Sequence, residues 1–339
     1  MLISIVIPAY NSARIIEDCI RSLELQTFDD FEVIVIDDGS TDGTASLLDA
    51  NASRLDFFHY ERIYNSGPLL ARKHGIEIAK GDYILLLDAD DTLRADALEL
   101  FATLISTYSP DIIQFGYSFE SDYSRRSHAF NLNDGLYTSD RLKEFKAEFY
   151  RGRMNSVWSR LVRADILNND FPYDQFYGIR HGEDMLFSAW AIQDAKRVVV
   201  TNEALYYYRI NAGASTASYK SKQLQDLELV CSALLNKVKE CDCKYLPEIC
   251  TGTSTQYAYL VNILLGTPFS KQQKMNYLAE IGHSFERVGG EDLLKRSDAL
   301  RIDCLVMLQM LQKGNLKTVR FFFTFLNRIR GLFLKSNNR

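Results

Sequence analysis

Two apolar runs end in carboxylates. "FEVIVIDDG" (31–39) closes on Asp37 and Asp38, and "GDYILLLDADD" (81–91) closes on Asp88, Asp90 and Asp91. A run as short and continuous as Ile84 to Leu87 suits a strand buried on both faces, as in a parallel sheet. Helix-periodic segments lie between such runs. Strand 3–7 precedes Pro8; "SARIIEDCIRSLELQT" reads as a helix with Ser12 as N-cap; strand 31–39 leads to a turn and helix; strand 57–63 leads to a helix in "GPLLARKHGIEIAKG" closed by Gly81; strand 83–88 follows. This alternation implies right-handed crossovers and helices on both faces of a mostly parallel sheet. Ligands in such sheets bind beyond the carboxyl ends of the strands. Both acidic clusters fall at those ends. Clustered carboxylates repel, and burying them unpaired is costly, so a positive group is expected beside them.

The chain has 339 residues, enough for one large domain or two ordinary ones. With 47% hydrophobic and 24% charged residues it reads as an ordinary globular protein, and a net charge of −5 argues against general nucleic-acid binding. The expectation is an α/β domain over 1–216, in two halves (1–110 and 111–216), then a helical region over 217–339. The six cysteines are Cys19, Cys231, Cys241, Cys243, Cys250 and Cys304; all but the first fall in the helical region, and Cys-Asp-Cys is no standard zinc spacing. Reduced thiols in a cytoplasmic protein are expected. "MLISIVIPAYN" lacks a basic n-region and a cleavage site, and no run reaches the length of a membrane span.

Each constellation has an ordinary alternative. Asp88 and Asp90 at a strand end can share one hard divalent cation, which prefers oxygen ligands and often keeps substrate phosphates in its shell. Asp91 could instead cap a helix in "TLRADALELF", but one helix start needs one cap. In "VIVIDDGSTDGT" a carboxylate could accept hydrogen bonds from a base or ribose, and the turn could face an anion. The same residues also suit a plain loop. Tyr10 could stack on a nucleobase or serve as a rim tyrosine. Glu183 and Asp184 could simply favour a helix N-terminus.

"SIVIPAYN", "VIVIDDGSTDGT", "NSGPLLARKHGIEIAKGDYILLLDADD" and "HGEDMLFSAW" occur in this order. Together they resemble a family 2 glycosyltransferase of the GT-A fold, over about residues 1–216. The resemblance implies a nucleotide-diphospho-sugar donor, a divalent metal (Mn²⁺ or Mg²⁺) and one-step inverting transfer. It implies that Pro8, Ala9, Tyr10 and Asp38 line the nucleoside pocket, with Asp37 in support. Gly67 and Arg72 would face the donor; Asp88, with Ala89, would touch ribose or sugar. Asp90 would be the main metal ligand, with Asp88 and Asp91 beside it. Asp184 would be the general base, next to Glu183. Arg209 and His181 would bind the diphosphate.

The chemistry fits those residue types. Sugar transfer needs charge stabilisation on a diphosphate leaving group and a base for the acceptor hydroxyl. One carboxylate opposite the leaving group gives inversion, the logic of inverting glycosidases. Leu69, Lys73 and Arg160 depart from the family's usual residues and blur donor and acceptor identity. The expected enzyme is a hexosyl- or N-acetylhexosaminyl-transferase using a UDP-sugar, with a glycan or lipid-linked saccharide as acceptor. A nucleotidyltransferase and a non-catalytic sugar-nucleotide-binding relative remain alternatives; a P-loop enzyme is excluded by its missing motif.

From Cys304 to the end there are seven Lys/Arg and no Asp/Glu. "VRFFFTFLNRIRGLFLK" (319–335) sets Phe322, Phe325, Leu326, Ile329 and Phe333 on one helical face and Arg320, Thr324, Arg328 and Lys335 on the other. That fits either an interfacial helix on anionic lipid or a terminal helix packed on the protein. The expected location is the cytoplasm, at the inner face of a membrane.

Overall fold

A computed structural model describes residues 2–127, 131–167, 171–210, 219–319 and 321. The chain divides into two compact units, one of residues 1–148 and 154–211, the other of 149–153 and 212–339.

The first unit runs β1 (Ile3–Ala9), α1 (Ile16–Glu24), β2 (Phe31–Asp37), α2 (Thr44–Ala52), β3 (Phe58–Arg62), α3 (Pro68–Ile78), β4 (Tyr83–Leu86), β5 (Thr92–Leu93), α4 (Ala97–Tyr108), β6 (Ile112–Ser118), β7 (Arg126–Ser127), β8 (Gly135–Tyr137), α5 (Ser139–Tyr150), β9 (Arg160–Arg163), α6 (Ala164–Leu167), α7 (Glu183–Asp194) and β10 (Val198–Tyr207). One sheet takes the order β3-β2-β1-β4-β9-β6-β10-β5, with β7 on β6 and β8 on β10. The β3-β2-β1-β4 half is parallel. β9 enters antiparallel to both β4 and β6.

Strand alternation places Ile3, Ile5 and Ile7 of β1 with Val33, Val35, Leu85 and Leu87 on one face, under Ile16, Ile20 and Leu23 of α1 and Leu98 and Phe101 of α4. α3 lies against the other face. A Cβ on Gly75 would stand 2.3 Å from Val6 Cγ1 and 3.3 Å from Ile36 Cγ1, so the missing side chain lets α3 sit close on β1 and β2. Arg72 precedes Gly75 by three residues and shares its face, which drives that guanidinium inward.

Several expected boundaries shift. β1 continues through Pro8 to Ala9, where only β2 still pairs with it, so the missing N–H costs no bond to β4. α1 begins at Ile16, and the Ser12 hydroxyl is directed to Tyr10 O rather than to the helix start. Gly81 is no cap: α3 ends at Ile78 with Ala79 as its C-cap, and a Cβ on Gly81 would lie 2.6 Å from Ser4 N and 2.8 Å from Leu2 O. Asp91 does not cap a helix either, because α4 starts at Ala97 after the short β5.

The second unit is helical: α8 (Ser221–Cys241), α9 (Leu246–Gly266), α10 (Lys271–Arg287), α11 (Gly290–Arg296) and α12 (Ile302–Gln312). Leu224, Leu227, Cys231, Leu234 and Val238 make one buried stripe of α8. A Cβ on Gly252 of α9 would fall 2.1 Å from Tyr150 O, so the 149–153 segment is seated directly on that helix. All six cysteines are free thiols, with Cys241 and Cys243 exposed. Among the described residues no helix is long and apolar enough to cross a membrane. The residues expected to form the two faces of the tail helix lie outside the described residues.

Candidate active site

β1 and β2 leave the sheet level with each other, Ala9 opposite Asp37. Asp37 is fully buried; its Oδ1 accepts the Ser40 N–H at 2.9 Å, and Arg62 Nε stands 3.5 Å from Oδ2. Asp38 accepts the N–H groups of Ser66 (2.6 Å) and Gly67 (2.9 Å), which satisfies donors at the start of α3. Gly67 itself takes φ +88°, a conformation glycine adopts freely. Burial raises the Asp38 pKa, against the pull of those two N–H groups. Both carboxylates are thus engaged in joining loops. Tyr10, 48% exposed, is the open group at this edge.

The second cluster is organised by one cation. Arg72 is 5% exposed. Its Nη2 donates to Asp88 Oδ1 at 2.9 Å and its Nη1 to Asp184 Oδ1 at 2.9 Å, with Glu183 Oε1 at 3.6 Å. The acidic neighbours hold the guanidinium firmly charged despite its burial. This is the positive group that the clustered carboxylates call for. Sequence placed Arg72 toward the donor; the structure makes it a bridge between the end of β4 and the start of α7.

Gly182 turns the chain at φ +81° into α7, so Glu183 and Asp184 occupy its first turn, where the helix dipole favours negative charge. Burial raises both carboxyl groups, and Arg72 opposes the rise at each. The Val157 backbone amide also favours the charged form of Asp184, which keeps 27% of its side chain open. It is therefore a held carboxylate with an exposed side.

Asp91 has a different task. It is 1% exposed; Oδ2 accepts the Tyr206 hydroxyl at 2.6 Å and Oδ1 the Arg209 N–H at 2.8 Å. Burial and then Asp88 push its pKa up to about 8. Arg209 donates from Nε to Asp90 O (2.9 Å) and from Nη2 to Asp18 Oδ2 (2.7 Å), so it braces this loop. Ala89 is buried within the loop. His181 is half-buried, one residue before the turn into α7.

Sequence reading missed the aromatic wall beside these carboxylates. Trp158 stacks on Tyr206 (4.4 Å between centroids, 17°) and on Tyr208 (5.3 Å, 30°). Burial, and then Asp91, Asp90, Asp88 and Asp184, push the Tyr208 phenol up to about 12. The signal was available in "YYYR": alternate residues of a strand share a face.

Asp88 and Asp90 are the residues here that would hold a divalent cation. Asp88 and Asp90 offer carboxylates at the sheet edge, and a diphosphate would complete the oxygen shell. Asp91 is committed to Tyr206 and Arg209 on both oxygens. Among the described residues no three His, Cys, Asp or Glu side chains gather into a ready-made metal cluster.

The family model described as "Glycosyl transferase family 2" matches residues 4–180. The chain belongs to this glycosyl transferase family. The glycosyltransferase EpsJ of Bacillus subtilis (strain 168) is 29% identical over 219 residues, 63% of this chain and 63% of EpsJ. The poly(ribitol-phosphate) beta-glucosyltransferase of Bacillus spizizenii is 31% identical over 221 residues, 62% of this chain and 32% of that protein. The chain thus spans less than two thirds of the length of these relatives. The crystal structure of Staphylococcus aureus TarS 1–349 in complex with UDP-GlcNAc superposes with a TM-score of 0.71 at 21% identity, covering 97% of this chain and 92% of that one. The family 2 member described here has the same GT-A architecture, a mixed, mostly parallel sheet with helices on both faces and a helical region after it.

Proposed function

We propose that this protein is an inverting glycosyltransferase that moves a sugar from a nucleotide-diphospho-sugar to a hydroxyl of a glycan or lipid-linked saccharide. The observation that carries this reading is the Arg72 bridge: carboxylates from two distant motifs, Asp88 and Asp184, meet on one guanidinium at 2.9 Å each. A donor at the sheet edge would then lie on the Asp88 side, with the acceptor on the Asp184 side. That is the separation direct displacement requires.

In this mechanism Tyr10 takes the base, and Asp88 and Asp90 would hold Mn²⁺ or Mg²⁺. The cation, when bound, stabilises negative charge on the leaving group. Asp184 accepts the proton of the acceptor hydroxyl as the new bond forms. Arg72 favours the charged form of Asp184 against its burial and aims it. Glu183 is held beside it as a second acid, and Arg209 and His181 stand toward the diphosphate side. UDP-sugar is the donor class, supported by the UDP-GlcNAc complex of TarS. The acceptor belongs to cell-surface polysaccharide synthesis, a reading supported by the glucosyltransferase that acts on poly(ribitol-phosphate). The working location is the cytoplasmic face of a membrane, reached through the basic tail.

The test is donor hydrolysis. The protein is incubated with UDP-, GDP- and dTDP-sugars, with Mn²⁺ or with chelator, and released nucleoside diphosphate is assayed. Metal-dependent release from a UDP-sugar is expected. Absence of both release and nucleotide binding would sink the proposal in favour of a non-catalytic relative.

A further inference from the structure

A second arginine, Arg160, opens β9, and the fold buries it to 2% exposure. Gln114, opposite it across β6 and β9, is fully buried. Burying a guanidinium is costly, so such a pair calls for a task. Its hydrogen bonds show one. Arg160 Nε donates to Gln114 Oε1 at 3.2 Å and Arg160 Nη2 to Met154 O at 2.6 Å. Gln114 Nε2 donates to Ser159 O at 2.7 Å and to Ser159 Oγ at 3.0 Å, and the Ser156 and Ser159 hydroxyls lie 2.9 Å apart. These bonds tie down both ends of the 154–159 segment that leads into β9.

That segment serves the carboxylates twice. Its Val157 amide favours the charged form of Asp184, and its Trp158 ring stacks on Tyr206, whose hydroxyl holds Asp91. Arg160 also lies close to the helix that carries the base. With Val157, Phe187 and Ser188 it lines a small cavity between β4, β9 and α7. Ser188 follows Asp184 by four residues and shares its face of α7. Burial pulls the Arg160 pKa down to about 10 against the opposing charge of Asp184, so the group is a cation at neutral pH, and its charge in turn favours ionised Asp184. Arg72 bonds the base directly; Arg160 acts on it through the segment and through charge.

We propose that Gln114 and Arg160 are positioning residues for sugar transfer: by bracing residues 154–159 they hold Asp184 and the Asp91–Tyr206 pair in working register. This rests on the glycosyltransferase reading above. Neither side chain touches donor or acceptor in this role. The planar fork of an arginine suits it, because one group can bond Gln114 and Met154 at once.

The test joins kinetics to a probe of the segment itself. Trp158 and Trp190 are the two tryptophans of the chain, so in a Trp190→Phe background the emission of Trp158 reports on residues 154–159. Arg160→Met, and independently Gln114→Leu, should shift that emission to longer wavelength and raise its quenching by acrylamide, as a ring now 7% exposed loosens. With the UDP-sugar that the wild type hydrolyses, and Mn²⁺, kcat for UDP release should fall about 100-fold in Arg160→Met, the size expected of a misplaced catalytic group, while donor KM and calorimetric UDP affinity stay within about twofold. Arg160→Lys keeps the charge and a donor and should recover part of that loss. Gln114→Leu carries the test if Arg160→Met does not fold. Unchanged Trp158 emission in both variants, an unchanged kcat, or a loss of UDP affinity as large as the loss in kcat would each overturn the proposal. Wild-type turnover with silent variants removes the positioning role alone, whereas wild-type protein that neither binds UDP nor releases it removes the glycosyltransferase reading as well.

Discussion

Replacing Arg72 by methionine keeps a long side chain and removes the charge that joins β4 to α7. Two guanidinium–carboxylate hydrogen bonds of 2.9 Å are lost. Each such bond contributes about 1.5–3 kcal/mol. Asp88 and Asp184 keep 26% and 27% of their side chains open, so water recovers part of the loss. The lower end then applies, a cost of about 3 kcal/mol, near the value for breaking a partly buried pair. For a unit of this size that lowers its Tm by about 6–12 °C. The assay is calorimetric or fluorescence-detected melting of wild type, Arg72→Met, Asp88→Asn/Asp184→Asn and the triple variant. With both acids neutralised, the methionine substitution should cost less than about 1 kcal/mol, since its partners no longer carry charge. Equal costs in the two backgrounds would refute the bridge.

Other outcomes follow from the same cluster. Tyr206→Phe removes the 2.6 Å bond to buried Asp91 and should destabilise by about 1–3 kcal/mol in urea titration, with the Trp158 stack left in place. Glu183, raised by burial from 4.5 to about 7, holds a proton in the folded chain that the unfolded chain releases across that window. Its contribution to stability therefore falls as pH rises from about 4.5 to about 7, and Glu183→Gln should flatten that part of the stability profile. Chelator should abolish donor hydrolysis, with activity restored by Mn²⁺ or Mg²⁺.

The parallel half of the sheet was legible because β1, β2 and β4 are apolar on both faces, a pattern set by burial alone. The acidic strand ends were legible for the same reason, since charge appears where the core stops. β9 was not, because Arg160–Arg163 carries two arginines and becomes a strand only by pairing with β4 and β6. β5 and β7, of two residues each, likewise exist through their neighbours. The function of Gly81 depended on Ser4 and Leu2, far away in sequence, so local pattern suggested a cap instead. In the site, residue types were readable and partners were not. Arg72 and Asp184 lie 112 positions apart, and no local rule joins them. Asp91 looked like its neighbour Asp90 in sequence; only the fold shows it locked between Tyr206 and Arg209.

The measurement that bears most directly on the proposed chemistry is sugar transfer by Asp184→Asn, paired with calorimetric binding of UDP. Asparagine keeps an oxygen for Arg72 Nη1 and cannot take a proton from an acceptor. Transfer should fall to background while UDP affinity stays at the wild-type level. A folded Asp184→Asn protein that still transfers sugar at a wild-type rate, or that loses UDP binding together with transfer, would contradict the assignment of Asp184 as the base.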